Sequence, residues 1–331
     1  MKKILNNPAD YVDEMLEGMV AAHPEHYSQP VPRVIARAGG ATKGKVGIVT
    51  GGGSGHLPVF TGYVGKGLLD ACAIGNVFAS PSAEQMADAI RAADGGVGVL
   101  RLYGNYGGDV MNFDMAGEMV EMENDIRTTT VVLADDVVSA PKEEAAKRRG
   151  VAGMVYAFKI AGAHAETGAD LDDVTRIAQK AADACRSIGM ALTPCTIPQA
   201  GKPTFEIGEN EMEMGMGIHG EPGIWRAEIR PADAIADEMV GRLIADQPLA
   251  KGDRISILVN SLGATPAEEL YILYRHAKKL LDEMGVEIVM PLVGRYATSM
   301  EMTGATITII KLDDELERLL KAPAECAFWR V

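Results

Sequence analysis

Apolar and polar residues follow two rhythms along this chain, short β-rich runs and helical repeats, alternating as stacked βα units do. Val46 to Thr50 reads as a buried strand that stops at Gly51. Ser82 to Ala93 follows as a helix, with Ser82 at its N-cap and Met86, Ile90 and Ala93 on one face. Val97 to Tyr103 is the next strand, Asn112 to Glu123 the next helix, and Thr128 to Leu133 a third strand running into Asp135 and Asp136. Leu171 to Ile188 reads as one long amphipathic helix. Beyond Thr193 and Pro194 a second series begins. It predicts helices over 231–245, 266–284 and 313–320 and strands over 254–260, 286–290 and 306–311. The pattern predicts an α/β fold of two α/β domains, with mixed sheets flanked by helices. The division falls near residue 190, giving domains over 1–190 and 191–331, because a Pro-, Gly- and Met-rich connection starts there.

Composition narrows the function. The 331 residues are 47% hydrophobic and 24% charged, which excludes disordered, collagen-like and coiled-coil chains. A net charge of −14 argues against a nucleic-acid groove. No run approaches the ~18 apolar residues of a membrane helix, and the residues after Met1-Lys2-Lys3 are no signal-peptide core. A cytoplasmic protein with no membrane partner is the reading. Cys72, Cys185, Cys195 and Cys326 are scattered without a Cys-x-x-Cys pair, so free buried thiols are predicted and no zinc site is visible.

In open α/β sheets ligands bind beyond the carboxyl ends of strands, and three loops are chemically unusual in that respect. Gly51-Gly52-Gly53-Ser54-Gly55-His56 follows a strand, yet lacks the Lys-Ser/Thr of a P-loop and the pattern of a hydrolase elbow. A tight turn explains its glycines but not the histidine after them. Gly104-Asn105-Tyr106-Gly107-Gly108-Asp109 follows another strand. Met214 to Gly223 follows no obvious strand, and its Gly215-x-Gly217-x-x-Gly220 run is no dinucleotide site, because Pro222 blocks the helix that site requires. Taken alone, His219 reads equally well as structural or catalytic. His23, His26, His164 and His276 read as solvated. Asp135 and Asp136 read as a loop or capping pair ahead of a cation site, and Lys142 to Arg149 as a solvated helix face.

Several long motifs in order carry a resemblance. Gly51 to His56, Gly75-Asn76-Val77-Phe78-Ala79-Ser80-Pro81, Asn105 to Phe113, Gly217 to Gly223 and Thr298-Ser299-Met300-Glu301-Met302 together resemble the K subunit of dihydroxyacetone kinases. The similarity runs from Met1-Lys2-Lys3 through Lys311-Leu312-Asp313. It implies a homodimeric, two-domain subunit that binds a small ketose and presents it to a separate, nucleotide-binding L-type donor subunit. The resemblance gives His219 the role of adding to the substrate carbonyl as a hemiaminal, His56 that of acid/base, and Asp109 that of activating the accepting hydroxyl. Gly53, Ser54 and Gly55 match the substrate-binding loop, and Ser80 and Gly104 lie in neighbouring loops. No cofactor is expected on this chain. ATP with Mg2+, or a phosphohistidine relay, would belong to the partner.

The chemistry agrees, since a small polyol has little apolar area and its carbonyl is the group an imidazole can test by bonding. Three positions depart from the family pattern: Leu57 replaces Glu, Asn76 an acidic residue and Gly104 a lysine. Clustered beside the retained His56, Asp109 and His219, they predict a substrate of four or more carbons, such as erythrulose, or a broader ketose preference that includes dihydroxyacetone. A non-catalytic ketose sensor or co-regulator of the same fold is the rival reading. It would keep His219 but need no base.

Overall fold

The computed structural model describes residues 2–331; Met1, where the resemblance starts, lies outside the described residues. Two six-stranded sheets organise the chain. The first contains β1 (Tyr27–Val31), β2 (Val34–Arg37), β3 (Gly47–Ser54), β4 (Ala71–Val77), β5 (Val99–Gly104) and β6 (Thr128–Leu133), in the order β1-β2-β4-β3-β5-β6. The strands from β4 to β6 run parallel, and β1 and β2 form an antiparallel edge. The second contains β7 (Cys185–Thr193), β8 (Glu211–Met214), β9 (Trp225–Glu228), β10 (Arg254–Ser261), β11 (Glu287–Gly294) and β12 (Thr303–Leu312), in the order β11-β10-β12-β7-β8-β9. Only its β10–β11 pair is parallel. Mixed sheets flanked by helices are what the sequence pattern predicts.

Eight α-helices are seen among the described residues: α1 (Tyr11–Ala22), α2 (Ala83–Ala93), α3 (Gly107–Asn124), α4 (Gly153–Ala165), α5 (Leu171–Ala184), α6 (Ala232–Asp246), α7 (Ala267–Glu283) and α8 (Asp314–Leu320). The predicted capping of α2 is present as a full capping box, with Ser82 accepting from the Gln85 N–H and the Gln85 side chain accepting from the Ser82 N–H. Helix α4 was invisible to periodicity because every one of its residues is buried, leaving no polar face. It packs between α5 and α8 and touches strands of both sheets.

Four local readings change. The strand predicted to stop at Gly51 continues to Ser54, because Gly51, Gly52 and Gly53 pair in parallel with Ala73, Ile74 and Gly75. The long helix over Leu171–Ile188 ends at Ala184, and Cys185 to Ile188 join β7, held by antiparallel pairing with β12. The Gly-Gly-Asp loop is the first turn of α3. The third glycine-rich loop does follow a strand, the short β8, and it joins β8 to antiparallel β9. Residue 190 lies inside β7, whose first residue, Cys185, opens the second sheet. All four cysteines are free and buried. Among the described residues no helix is long and apolar enough to cross a membrane.

One topological feature positions the site. The chain leaves β3 towards β4 on one side, and leaves β5 towards β6 on the other. The carboxyl ends of β3 and β5 therefore flank a switch point, where open α/β sheets bind ligands.

Candidate active site

His56 stands just past the carboxyl end of β3 and is almost completely buried, at 1% exposure. Close approach shapes this strand end. A Cβ on Gly53 would sit 2.6 Å from the Ala79 nitrogen and 2.8 Å from the Phe78 Cα, so only glycine lets the Phe78–Ser80 turn lie against β3. Phe78, at φ +58°, stacks on the His56 ring with centroids 4.9 Å apart. The His56 Nδ1–H donates to the Thr298 carbonyl at 2.7 Å, which leaves the Nε2 lone pair buried and unpartnered. Burial, with the neighbouring His219, pushes the His56 pKa down to about 3. The ring is neutral at physiological pH, and Nε2 is a proton acceptor.

Asp109 lies in the first turn of α3, at 5% exposure, with Oδ1 buried and unpartnered. Burial pushes its carboxyl up to about 6, tempered by the Ser80 hydroxyl and by His219. Ser80 reaches this turn across Gly108, where a Cβ would be 2.6 Å from the Ser80 Oγ. A carboxylate poised near neutrality with an open oxygen suits a general base.

His219 arrives from the second sheet on the loop between β8 and β9, and the structure brings it to His56, with ring centroids 4.7 Å apart. Phe78 and Tyr106 also present their rings to it, at 5.2 and 4.8 Å. Its Nδ1–H donates to Glu221 Oε1 at 2.8 Å, and its backbone N–H donates to Oε2 at 2.7 Å. Burial works against the Glu221 carboxylate, but these bonds and the His219 ring outweigh it and hold the pKa at about 2. With Nδ1 carrying the proton, Nε2 keeps its lone pair, the state a nucleophilic imidazole needs.

The remaining predicted positions are distributed around this centre. Gly104 ends β5, where a Cβ would meet Met154 Sδ at 3.1 Å and the Tyr106 ring at 3.4 Å. Ser54 and Gly55 line a cavity of about 440 Å³ that they share with Leu57, Tyr11, Met15 and Met300. The three departures have different surroundings, Leu57 being the residue after His56. Asn76 is exposed and accepts from Arg33 at 3.1 Å, and Leu57 belongs to that cavity; only Gly104 borders the His219 surroundings.

Polar residues read from the sequence as solvent-facing are partly interior. His164 is buried and bonds Asp173, and the His276 side chain is 12% exposed and bonds Asp237. Arg148 and Arg149 fold inward onto Asp246 and Asp136, because each finds a carboxylate from another element. Asp135 caps the start of α4, accepting from the N–H groups of Val151 and Gly153 and from the Ser187 hydroxyl. The sequence reading gave no role to Glu221, Phe78, Tyr106 or Arg149. Glu221, two residues after the histidine, was the one with a visible signal.

Fold and side chains together define a class: an α/β protein with two facing imidazoles at a sheet switch point and a buried near-neutral carboxylate at the start of the neighbouring helix. The Dak1 domain model matches residues 17–328, and the chain belongs to this family. It is 46% identical to a "PTS-dependent dihydroxyacetone kinase 2, dihydroxyacetone-binding subunit DhaK" of Listeria innocua, covering 100% of both chains. It is 44% identical to an L-erythrulose kinase of Pectobacterium atrosepticum, over 100% of this chain but 56% of that one. The dihydroxyacetone kinase structure of C. freundii superposes with a TM-score of 0.90 at 32% identity, covering 99% of this chain and 60% of that one. A dihydroxyacetone kinase operon co-activator, Dha-DhaQ, superposes at 0.87 and 32%, covering 94% and 96%.

Proposed function

We propose that this chain is the ketose-binding subunit of a dihydroxyacetone-type kinase and that it holds its substrate as a hemiaminal on His219. The observation that carries the reading is the His219–Glu221 pair, which parks the proton on Nδ1 and leaves Nε2 free beside a second, neutral imidazole. Nε2 adds to the ketose carbonyl carbon and the C=O π bond opens to an alkoxide. The oxygen gains a proton and the ring loses its Nδ1 proton, so the adduct is neutral. The accepting terminal hydroxyl then gives its proton to Asp109 as its oxygen bonds phosphorus and the donor's own bond to that phosphorus breaks, P–O in ATP or P–N in a phosphohistidine. His56 Nε2 accepts hydrogen bonds from the bound polyol and helps move these protons.

A separate donor protein supplies the phosphoryl group. This is supported by relatives named as subunits, which the chain matches along their full length, and those names point to a phosphoenolpyruvate-fed donor. We further propose that the chain works as a homodimer and accepts four-carbon ketoses. The 42–44% identity to erythrulose kinases supports the larger substrate, while Met154 and Tyr106 close in to 3.1 and 3.4 Å of where a Cβ on Gly104 would stand. The co-activator structure favours one second reading, a ketose sensor, which would bind ketose without transferring phosphate.

The test uses [2-13C]dihydroxyacetone and [2-13C]erythrulose. The carbonyl resonance is expected to be replaced by a tetrahedral-carbon signal with the parent protein and to persist with His219→Ala. An unchanged spectrum with the parent would refute the covalent reading. Phosphate transfer with a reconstituted donor separates kinase from sensor, and a higher kcat/KM for dihydroxyacetone than for any C4 or C5 ketose would end the larger-substrate proposal.

A further inference from the structure

Arg149 is a charged side chain that the reaction described above does not use, yet it reaches from the segment after β6 to the His219 loop. Its backbone is pinned on both sides: its carbonyl accepts from the Asp136 N–H at 3.1 Å, and its N–H donates to the Ser139 hydroxyl at 3.0 Å. From there the guanidinium spans the two sheets. Nε donates to Asp136 Oδ2 at 2.9 Å, Nη2 donates to the Gly215 carbonyl at 2.9 Å, and Nη1 stands 4.0 Å from Glu221 Oε2. The side chain is 14% exposed.

The loop is built to admit it. A Cβ on Gly217 would lie 2.1 Å from Glu221 Oε2 and 2.6 Å from Arg149 Nη1, so glycine alone lets carboxylate and guanidinium share this corner. The Gly215 N–H donates to the Gly189 carbonyl at 2.6 Å, which ties the loop to β7 while Arg149 holds the same residue's carbonyl. Asp136, almost fully buried, fixes the other end of the guanidinium, and its N–H and carboxylate both face Arg149.

Glu221 decides which His219 nitrogen carries the proton, and Arg149 is the only arginine or lysine placed against Glu221 among the described residues' ion pairs. We infer that Arg149 is a positioning residue for His219, fixing the Glu221 carboxylate and the Gly215–Gly223 loop so that the ring keeps its Nδ1–H tautomer and offers Nε2. The inference rests on the proposed role of His219 only for its consequence in ketose capture; the tautomer is a property of the free protein. Without the guanidinium, Glu221 loses its counter-charge and the loop carbonyl loses its donor. Only the two bonds from His219 itself then hold Glu221, so its rotation away from the ring costs less and the two neutral tautomers of His219 mix more freely.

The experiment is long-range 1H–15N correlation on 15N-histidine-labelled protein, with the His219 signals assigned from His219→Gln. The parent should show the Nδ1–H pattern. Arg149→Gln should shift the His219 nitrogens towards an averaged tautomer and weaken adduct formation by roughly ten- to hundredfold. Arg149→Lys, which restores charge but not the forked geometry, should recover part of both. If Arg149→Gln fails to fold, the Lys variant and Gly217→Ala, which pushes the carboxylate and guanidinium apart, carry the same test. A folded Arg149 variant with the parent tautomer and parent adduct formation would overturn the inference, as would an Nε2–H pattern in the parent. A tautomer shift in a protein that forms no ketose adduct would uphold it while removing the hemiaminal reading.

Discussion

At the scale of single residues, this site works by setting protonation states through burial and one strong partner per group. At Asp109 burial outweighs the Ser80 hydroxyl and His219, so its pKa rises to about 6. A base must be ionised to act, and phosphorylation should therefore increase with pH through an apparent pKa near 6. Asp109→Asn should lower kcat by about 10²–10⁴-fold while ketose binding persists, read from initial rates between pH 5 and 8. A flat profile in the parent would remove Asp109 from the proton transfer. His56 has the opposite sign. Its folded pKa of about 3 lies below the ordinary 6.5, so the unfolded chain binds the extra proton between those values. The stability this residue secures is complete above pH 6.5 and is lost as pH falls towards 3. Between pH 7 and pH 5, His56→Gln should lose about 2 kcal/mol less stability than the parent in matched urea titrations. Equal losses would show that the imidazole is not held neutral by the fold.

At the scale of elements, glycines let strands, turns and helix starts meet at distances no side chain allows. Gly53 is the case beside His56, and its nearest contacts are backbone. Gly53→Ala should cost roughly 1–3 kcal/mol in urea unfolding and displace the Phe78 stack from His56. A neutral substitution would mean that the 78–80 turn is free to move. This close packing also explains which elements were legible in advance. Strand β6 matches its predicted limits because its apolar run and flanking acids are local signals. The start of α3 did not look helical, since Gly107 and Gly108 are poor helix formers, but tertiary packing against the Ser80 turn overrides their propensity. Residues 185–188 follow an amphipathic helix without a breaker, and only pairing with β12 turns them into strand.

At the scale of the molecule, the two sheets meet where β6 passes into the 134–152 segment. The Ser187 N–H donates to the Asp135 carbonyl at 2.7 Å, and the Val137 N–H returns a bond to the Ser187 carbonyl at 3.0 Å. The buried Asp135 carboxylate gathers the Val151 and Gly153 N–H groups and the Ser187 hydroxyl at the same point. Asp135→Ala leaves two buried backbone donors unmet, the Ser187 hydroxyl keeping Thr308, and should destabilise the protein by about 3 kcal/mol or more, measured by urea unfolding. A loss below about 1 kcal/mol would show that apolar packing around α4 joins the sheets unaided. The same junction carries Arg149 towards the His219 loop, so the joint between sheets and the tuning of the site are one structure.

Local order was enough to reveal the α/β class, the capping of α2, the free thiols and the unusual loops that carry His56, Asp109 and His219, because periodicity, caps and glycine patterns act over a few residues; the roles of those three residues came from the family resemblance. What tertiary structure alone decided is which of these groups meet. His56 and His219 are 163 positions apart and come from different sheets, and no short-range rule encodes that closure. The protonation states depend on it as well, since burial, an unpartnered nitrogen and a carboxylate across a 2.8 Å bond exist only once both sheets have packed.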